Sequence, residues 1–223
     1  MTLILVRHPP VAVAKGTCYG RTDVALAVPA VEAAAALAAR LRRRLPGVFA
    51  SQNGAVGHLS PDEETVPRAR VTILTSPALR CRTVAAALAA SLEVRFADDE
   101  RLREMDFGVW EMQRWDQIER ASIDAWAADL HGYRAHGGET LTAFLGRLRA
   151  WLPTLDRLGN RPDPGATVCV VIAHAGVIRL LAALMLARAP SDCLAWPLDY
   201  NGLCVFERGD DDAWRLARWN DID

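Results

Sequence analysis

The sequence predicts an α/β fold: a three-layer sandwich with a mainly parallel central sheet, helices on both faces and an antiparallel C-terminal strand. Three observations predict it. Short apolar runs of strand length at 2–7, 70–76 and 166–173 alternate with longer helical stretches, the pattern of a parallel sheet covered on both sides. The final stretch, "GLCVFERGDDDAWRLARW", carries two strand patterns around a Gly-Asp turn, which gives an antiparallel finish. With 223 residues, 51% of them hydrophobic, the chain is long enough to bury a substantial core as one domain spanning 1–223.

Each element follows from local pattern. "TLILVR" is the first buried strand, and "VPAVEAAAALAARLRRRL" is a helix with Pro29 near its start and Val31, Ala34, Ala38, Leu41 and Leu45 on one face. "RVTILTS" is a second buried strand. The helix "PALRCRTVAAALAASL" follows it, with Ser76 as the expected N-cap and Pro77 at the first position. "LEVRFAD" reads as a third strand, and residues 111–130 and 139–158 read as helices. "ATVCVVIA" is the strongest strand pattern, and Gly176 opens the helix "VIRLLAALMLA". Residues 50–70, rich in Ser, Asn, Gly, Pro and acids, form a polar insertion too long for an ordinary loop. A lid, an oligomer contact and a disordered insertion are all compatible with it.

Composition excludes several classes of function. No run of about 18 apolar residues and no signal-peptide pattern occurs, so the expectation is a cytoplasmic protein without a membrane partner. Net charge is −1, which argues against nucleic acid as a partner. The basic residues are 25 arginines and Lys15 alone, so an arginine acquires meaning only from its position. The cluster Arg40, Arg42, Arg43 and Arg44 suits the negative end of a helix dipole. Five widely spaced cysteines, at 18, 81, 169, 193 and 204, form no Cys-x-x-Cys and read as reduced packing residues. His131 and His136 lie in a Gly-rich stretch without nearby cysteines, which reads as a surface loop rather than a metal site.

Three places stand out for chemistry. Arg7 and His8 follow the first strand, Arg80 lies in the first turn of the helix after the second, and His174 follows "VCVVIA". All sit at carboxyl ends of predicted strands, the edge of an open α/β sheet where ligands bind. Arginine forks match phosphate oxygens, and a helix N-terminus adds backbone donors, so their convergence reads as a phosphate site.

The stretches "LVRHPPVAVAKGTCYGRTDVAL", "TSPALRCRTVA", "LREMDFGVWE" and "VIAHAGVIRLL" resemble, in order, the four signature stretches of the histidine phosphatase superfamily, also called phosphoglycerate mutase-like. Within it, "CYGRTDVALA" and "REMDFGVWE" are most similar to the alpha-ribazole phosphatase type of bacterial enzyme. The resemblance implies a phosphomonoester hydrolase with no metal and no organic cofactor, acting on a small-molecule phosphate ester. It implies that His8 is the nucleophile, that Arg7, Arg80 and His174 hold the phosphoryl oxygens, and that Glu104 donates the proton. Tyr19, Gly20, Arg21 and Ala175 fall where the family meets its substrate. A homo-oligomer is left open.

The chain departs from the family in having Pro9 and Pro10 after the Arg-His pair, where Gly is usual. A backbone donor to phosphate is therefore missing at that position. Two alternatives accompany the phosphatase reading. One is a phosphoglycerate mutase-type phosphotransferase, which needs a second cationic patch, and no basic insertion follows Glu104. The other is an inactive phospholigand-binding protein on the same fold. Specificity is expected in "VAVAKGTCYG", in 111–138 with Trp110, Trp115, Trp126 and Tyr133, and in "WPLDYNG".

Overall fold

The computed structural model describes residues 1–49, 70–159 and 167–223. Its centre is a six-stranded sheet built from β1 (Thr2–Arg7), β2 (Arg70–Thr75), β3 (Phe96–Asp98), β4 (Thr167–Ala173), β5 (Leu203–Arg208) and β6 (Trp214–Asp221). The order is β3-β2-β4-β1-β5-β6. Pairings from β3 to β1 are parallel, and β5 and β6 close the sheet antiparallel.

The two-residue period of a strand divides the core into two layers. Leu3 and Leu5 of β1, Cys169 and Val171 of β4, and Cys204 and Phe206 of β5 face one side. There they meet α5 (Leu141–Trp151), α6 (Pro153–Gly159) and α7 (Ala175–Met185). Ile4 and Val6, with Val168, Val170 and Ile172, face the other side against α1 (Ala30–Arg44), the short α2 (Pro46–Phe49) and α3 (Leu79–Leu92). This is the expected sandwich. No helix among the described residues is long and apolar enough to cross a membrane. All five cysteines are free and buried, in agreement with a packing role.

Several local expectations are corrected. Ser76 is not the helix cap: α3 starts only at Leu79, with Ala78 at the cap position, and the Ser76 hydroxyl accepts from the Ala78 amide (3.3 Å) while its own amide donates to Ile172 O (3.0 Å). The stretch 111–130 is helical only at Arg120–Ala128 (α4). The carboxylate of Glu111 instead holds its own segment in a turn by accepting from the amides of Phe107, Arg21 and Thr22. The helix expected over 139–158 divides at Pro153, which has no N–H to continue the ladder. "LEVRFAD" pairs only at Phe96–Asp98, and α7 opens one residue early, at Ala175. On α1, Val31 is 72% exposed, and Leu37 completes the buried face. His136 is buried, not a surface residue, and packs 4.9 Å from the Trp110 ring. The polar insertion lies, apart from Arg70, outside the described residues.

Arg40 does more than complement the helix dipole. Its guanidinium is turned inward and donates to the carbonyls of Asn201 (2.7 Å), Asp221 (2.5 Å) and Asp223 (3.1 Å). It thereby ties α1 to the ends of the antiparallel strands. Arg40→Ala is therefore expected to lower stability to urea by about 2 kcal/mol or more, whereas Arg43→Ala, at an exposed position, changes it by less than about 0.5 kcal/mol. Equal effects would show that the clamp contributes nothing.

Candidate active site

Register builds the site. In the β1–β4 pair Arg7 lies opposite Ala173, and the His8 amide donates to Ala173 O at 2.9 Å. The next residues along each strand, His8 and His174, therefore emerge side by side, with ring centroids 5.3 Å apart. Both are almost wholly buried. β2 lies beyond β4, and the turn after it delivers Arg80, which is also fully buried.

Each side chain is anchored by groups that leave part of it uncommitted. His8 Nδ1 lies 2.8 Å from the Pro9 carbonyl, which can only accept, so Nδ1 carries the proton and Nε2 keeps its lone pair. Pro9 thus contributes an acceptor where the missing donor was the expected consequence of proline. Arg7 donates Nη1 to Leu198 O (2.6 Å), and its guanidinium carbon lies 3.9 Å from the centroid of the Tyr200 ring. Arg80 donates to Gly20 O (2.7 Å) and Thr22 O (2.9 Å). The buried Nε atoms of Arg7 and Arg80 have no hydrogen-bond partner among the described residues, a costly state that a bound anion would relieve. His174 Nε2 shares a 2.8 Å hydrogen bond with the Ser76 hydroxyl.

Glu104, in the stretch "LREMDFGVWE", accepts from the amides of Gly176 and Met105 through its carboxylate oxygens, each at 3.0 Å. Gly176 lets the Glu104 carboxylate approach the backbone: a Cβ there would displace it. Gly20 is a second such position, with φ of 31° and the Glu111 carboxylate and Met105 carbonyl against its Cα. Glu111 consequently joins the loop of Tyr19, Gly20 and Arg21 to the loop of Glu104.

Electrostatics favour neutral imidazoles. Burial above all, then the Arg80 charge, lowers the pKa of His8 from 6.5 to about 3, with Arg7 adding to the effect and the Pro9 hydrogen bond opposing it. Burial, followed by Arg80 and His8, holds His174 well below the ordinary histidine range. Both rings are therefore uncharged at neutral pH, and the cationic charge of the site resides on arginine.

A cavity of about 650 Å³ opens beside His8. Of the residues expected from sequence, Arg7, His8, Tyr19, Gly20, Glu104 and Ala175 line it. Arg80 and His174 stand behind His8, within reach of its ring environment but outside the lining. Arg21 is not brought to the cavity by its side chain, which points to Glu139 (3.6 Å) and Asp106 (4.0 Å). The far wall is apolar: Phe107, Trp115, Trp126, Leu130, Leu141, Phe144, Leu180 and Leu194. Trp110 and Tyr133 pack behind this wall. Sequence reasoning missed Ser76, Glu111, Arg179 and the individual role of Tyr200, although "WPLDYNG" was marked. Ser76, Glu111 and Arg179 lie inside the quoted signature-like stretches and Tyr200 inside "WPLDYNG", but their roles rest on partners distant in the chain.

The fold and the site define an α/β protein with a buried, arginine-flanked imidazole at the carboxyl edge of its sheet. The model of the histidine phosphatase superfamily (branch 1) matches residues 63–222, and the chain belongs to that superfamily. The matched span includes Arg80, Glu104 and His174; Arg7 and His8 join them through the β1–β4 pairing. Similar solved structures include the alpha-ribazole phosphatase of Shigella flexneri, at 19% identity and TM-score 0.73, covering 99% of this chain and 96% of that one. A mycobacterial glucosyl-3-phosphoglycerate phosphatase in complex with VO3 is 24% identical, with TM-score 0.73 and 98% of each chain covered. At these identities they establish the shared fold. Comparison with curated proteins gives no match.

The neutral state of His8 has a consequence for stability. Between pH 6.5 and about 3 the unfolded chain binds a proton on this imidazole and the folded chain does not, so stability falls as pH falls through that window. Urea unfolding at pH 7, 6, 5 and 4 should give a shallower loss for His8→Asn than for the unsubstituted protein, by up to about 1.4 kcal/mol per pH unit. Identical slopes would mean that His8 is protonated in the folded state.

Proposed function

We propose that this protein is a phosphomonoester hydrolase acting on a small phosphorylated metabolite through a phosphohistidine on His8. The observation that carries the proposal is the convergence of an imidazole with a free Nε2 lone pair and two arginines with buried, uncommitted Nε donors. A neutral imidazole is a competent nucleophile. Its Nε2 attacks phosphorus, the bond from phosphorus to the ester oxygen breaks, and Glu104 gives its proton to the departing alkoxide. Water then attacks the phosphohistidine, losing a proton to Glu104, and inorganic phosphate leaves with His8 restored. Phosphoryl transfer passes through a loose transition state in which positioned charge does most of the work, a role for Arg7, Arg80 and His174. These residues supply nucleophile, acid and charge, so the proposal requires no metal and no organic cofactor. Tyr19, Gly20 and Ala175 would meet the ester where they line the cavity. The apolar wall favours a ring-bearing leaving group, and alpha-ribazole 5′-phosphate is one ester of that kind.

The phosphate clamp is tested by comparing two arginines of one helix. Arg80→Ala is expected to lower kcat/KM by about 10²-fold or more, while Arg82→Ala, exposed on the same helix, leaves it within about twofold. Equal, small effects would remove Arg80 from the site.

The acid is tested through the leaving group. Glu104→Gln should slow the phosphorylation burst by about 10²- to 10⁴-fold with an alkyl or ribose phosphate, but far less with nitrophenyl phosphate, whose phenolate needs little protonation. Rapid-quench measurement of the burst, with transfer to added alcohols measured beside phosphate release, checks both the acid and the hydrolytic outcome. Equal slowing for the two esters would make Glu104 a structural residue.

A further inference from the structure

Arg179 lines the same cavity, one helical turn beyond Gly176, on the face of α7 that carries Ala175, Gly176 and Leu180. Its Nε donates to Trp196 O at 2.8 Å, which holds the side chain in place. Among the described residues it makes no salt bridge, and its two η nitrogens have no partner. The other arginine of the cavity lining, Arg7, is anchored by Leu198 O, whereas Arg21 and Arg147, outside the lining, are paired with Asp106 and Glu139. Arg179 is half-buried; burial first and the Arg7 charge second disfavour its cation, and the nearby Glu104 acts in the opposite sense without forming a salt bridge to it among the described residues. A partly desolvated guanidinium with free donors is stabilised further by an anion that joins it.

Size and polarity constrain that anion's carrier. A cavity of about 650 Å³ is in the range that encloses a drug-sized ligand. A three-carbon sugar acid would leave most of the apolar wall in contact with water. Glu104 contacts the Gly176 amide, so the proton donor marks where the ester oxygen sits, and Arg179 lies a single turn farther along. The acceptor it meets belongs to the leaving group.

Resting on the phosphatase reading above, we infer that Arg179 is a specificity-determining residue that pairs with a carboxylate on the leaving group. The preferred substrates are phosphate monoesters of bulky, ring-bearing alcohols that also carry an acid. The phosphoryl group occupies the Arg7 and His8 end, the acid meets the η nitrogens of Arg179, and the ring lies against Phe107, Trp126 and Leu180.

The test compares benzyl phosphate with 3- and 4-carboxybenzyl phosphate, with 3-phosphoglycerate and alpha-ribazole 5′-phosphate as further arms. The better carboxybenzyl ester should exceed benzyl phosphate in kcat/KM by about 10-fold or more, chiefly through KM, and should also exceed 3-phosphoglycerate and alpha-ribazole 5′-phosphate. In Arg179→Gln the ratio of carboxylated to plain ester should fall to about 1, and Arg179→Lys should restore part of it. A ratio near 1 in the unsubstituted protein, a ratio that survives Arg179→Gln, or a preference for either further arm would overturn the inference. Nitrophenyl phosphate separates the two levels: if it is hydrolysed and the ratio is absent, only the specificity claim fails. If no ester is hydrolysed, calorimetric binding of the same benzyl pair reads Arg179 directly, and equal affinities would overturn its assignment.

Discussion

The pairing of β1 with β4 is the constraint on which the rest of the site depends. These strands occupy the middle of the sheet, with β2 on one side and β5 on the other. Their parallel register sets Arg7 against Ala173 and so releases His8 and His174 at the same level of the sheet edge. A slip by one residue would exchange the two faces of β1, moving Leu3 and Leu5 out of one core layer and Ile4 and Val6 out of the other. The packing of β1 into both core layers therefore also holds the histidines together.

Around that pair, most functional groups are held by backbone atoms rather than by other ionised side chains. Pro9 O orients His8, Leu198 O holds Arg7, Gly20 O and Thr22 O hold Arg80, and the Gly176 and Met105 amides hold Glu104. This arrangement keeps the arginine charge available to an anion. Pairing with carboxylates would have neutralised it. It also explains why neutral histidines belong here: burial and guanidinium charge both act against imidazolium. Donors held in place by the backbone need little rearrangement when they meet an anion. Glu111 extends the same economy by collecting three amides from two loops, and Arg40 anchors Asn201, whose amide donates to Arg7 O at 3.2 Å.

The strands and the principal helices were legible because their signals are local. Short continuous apolar runs mark β1, β2 and β4, a strand pattern before the Gly-Asp turn marks β5, and a strand end followed by His or Arg marks the place of chemistry. Ser76 misled because a Ser-Pro pair before a helix has the appearance of a cap, whereas its amide remains committed to Ile172 and its hydroxyl to His174. Residues 111–119 misled because Glu111 supports a turn through partners as distant as Arg21 and Thr22. Arg40 and Arg179 could not be distinguished from other arginines in a chain with 25 of them. Their meaning comes from carbonyls at Asn201, Asp221 and Trp196, which only the folded chain brings near.

The central claim is that His8 is a neutral nucleophile whose Pro9 hydrogen bond leaves Nε2, and only Nε2, to attack. Rapid quenching with a labelled phosphate ester into alkali, followed by peptide mapping and separation of the two phosphohistidine isomers, tests it directly. The account predicts a transient, acid-labile phosphate on Nε2 of His8. Phosphate on Nδ1, on another residue, or phosphate release without any phosphoenzyme would contradict it.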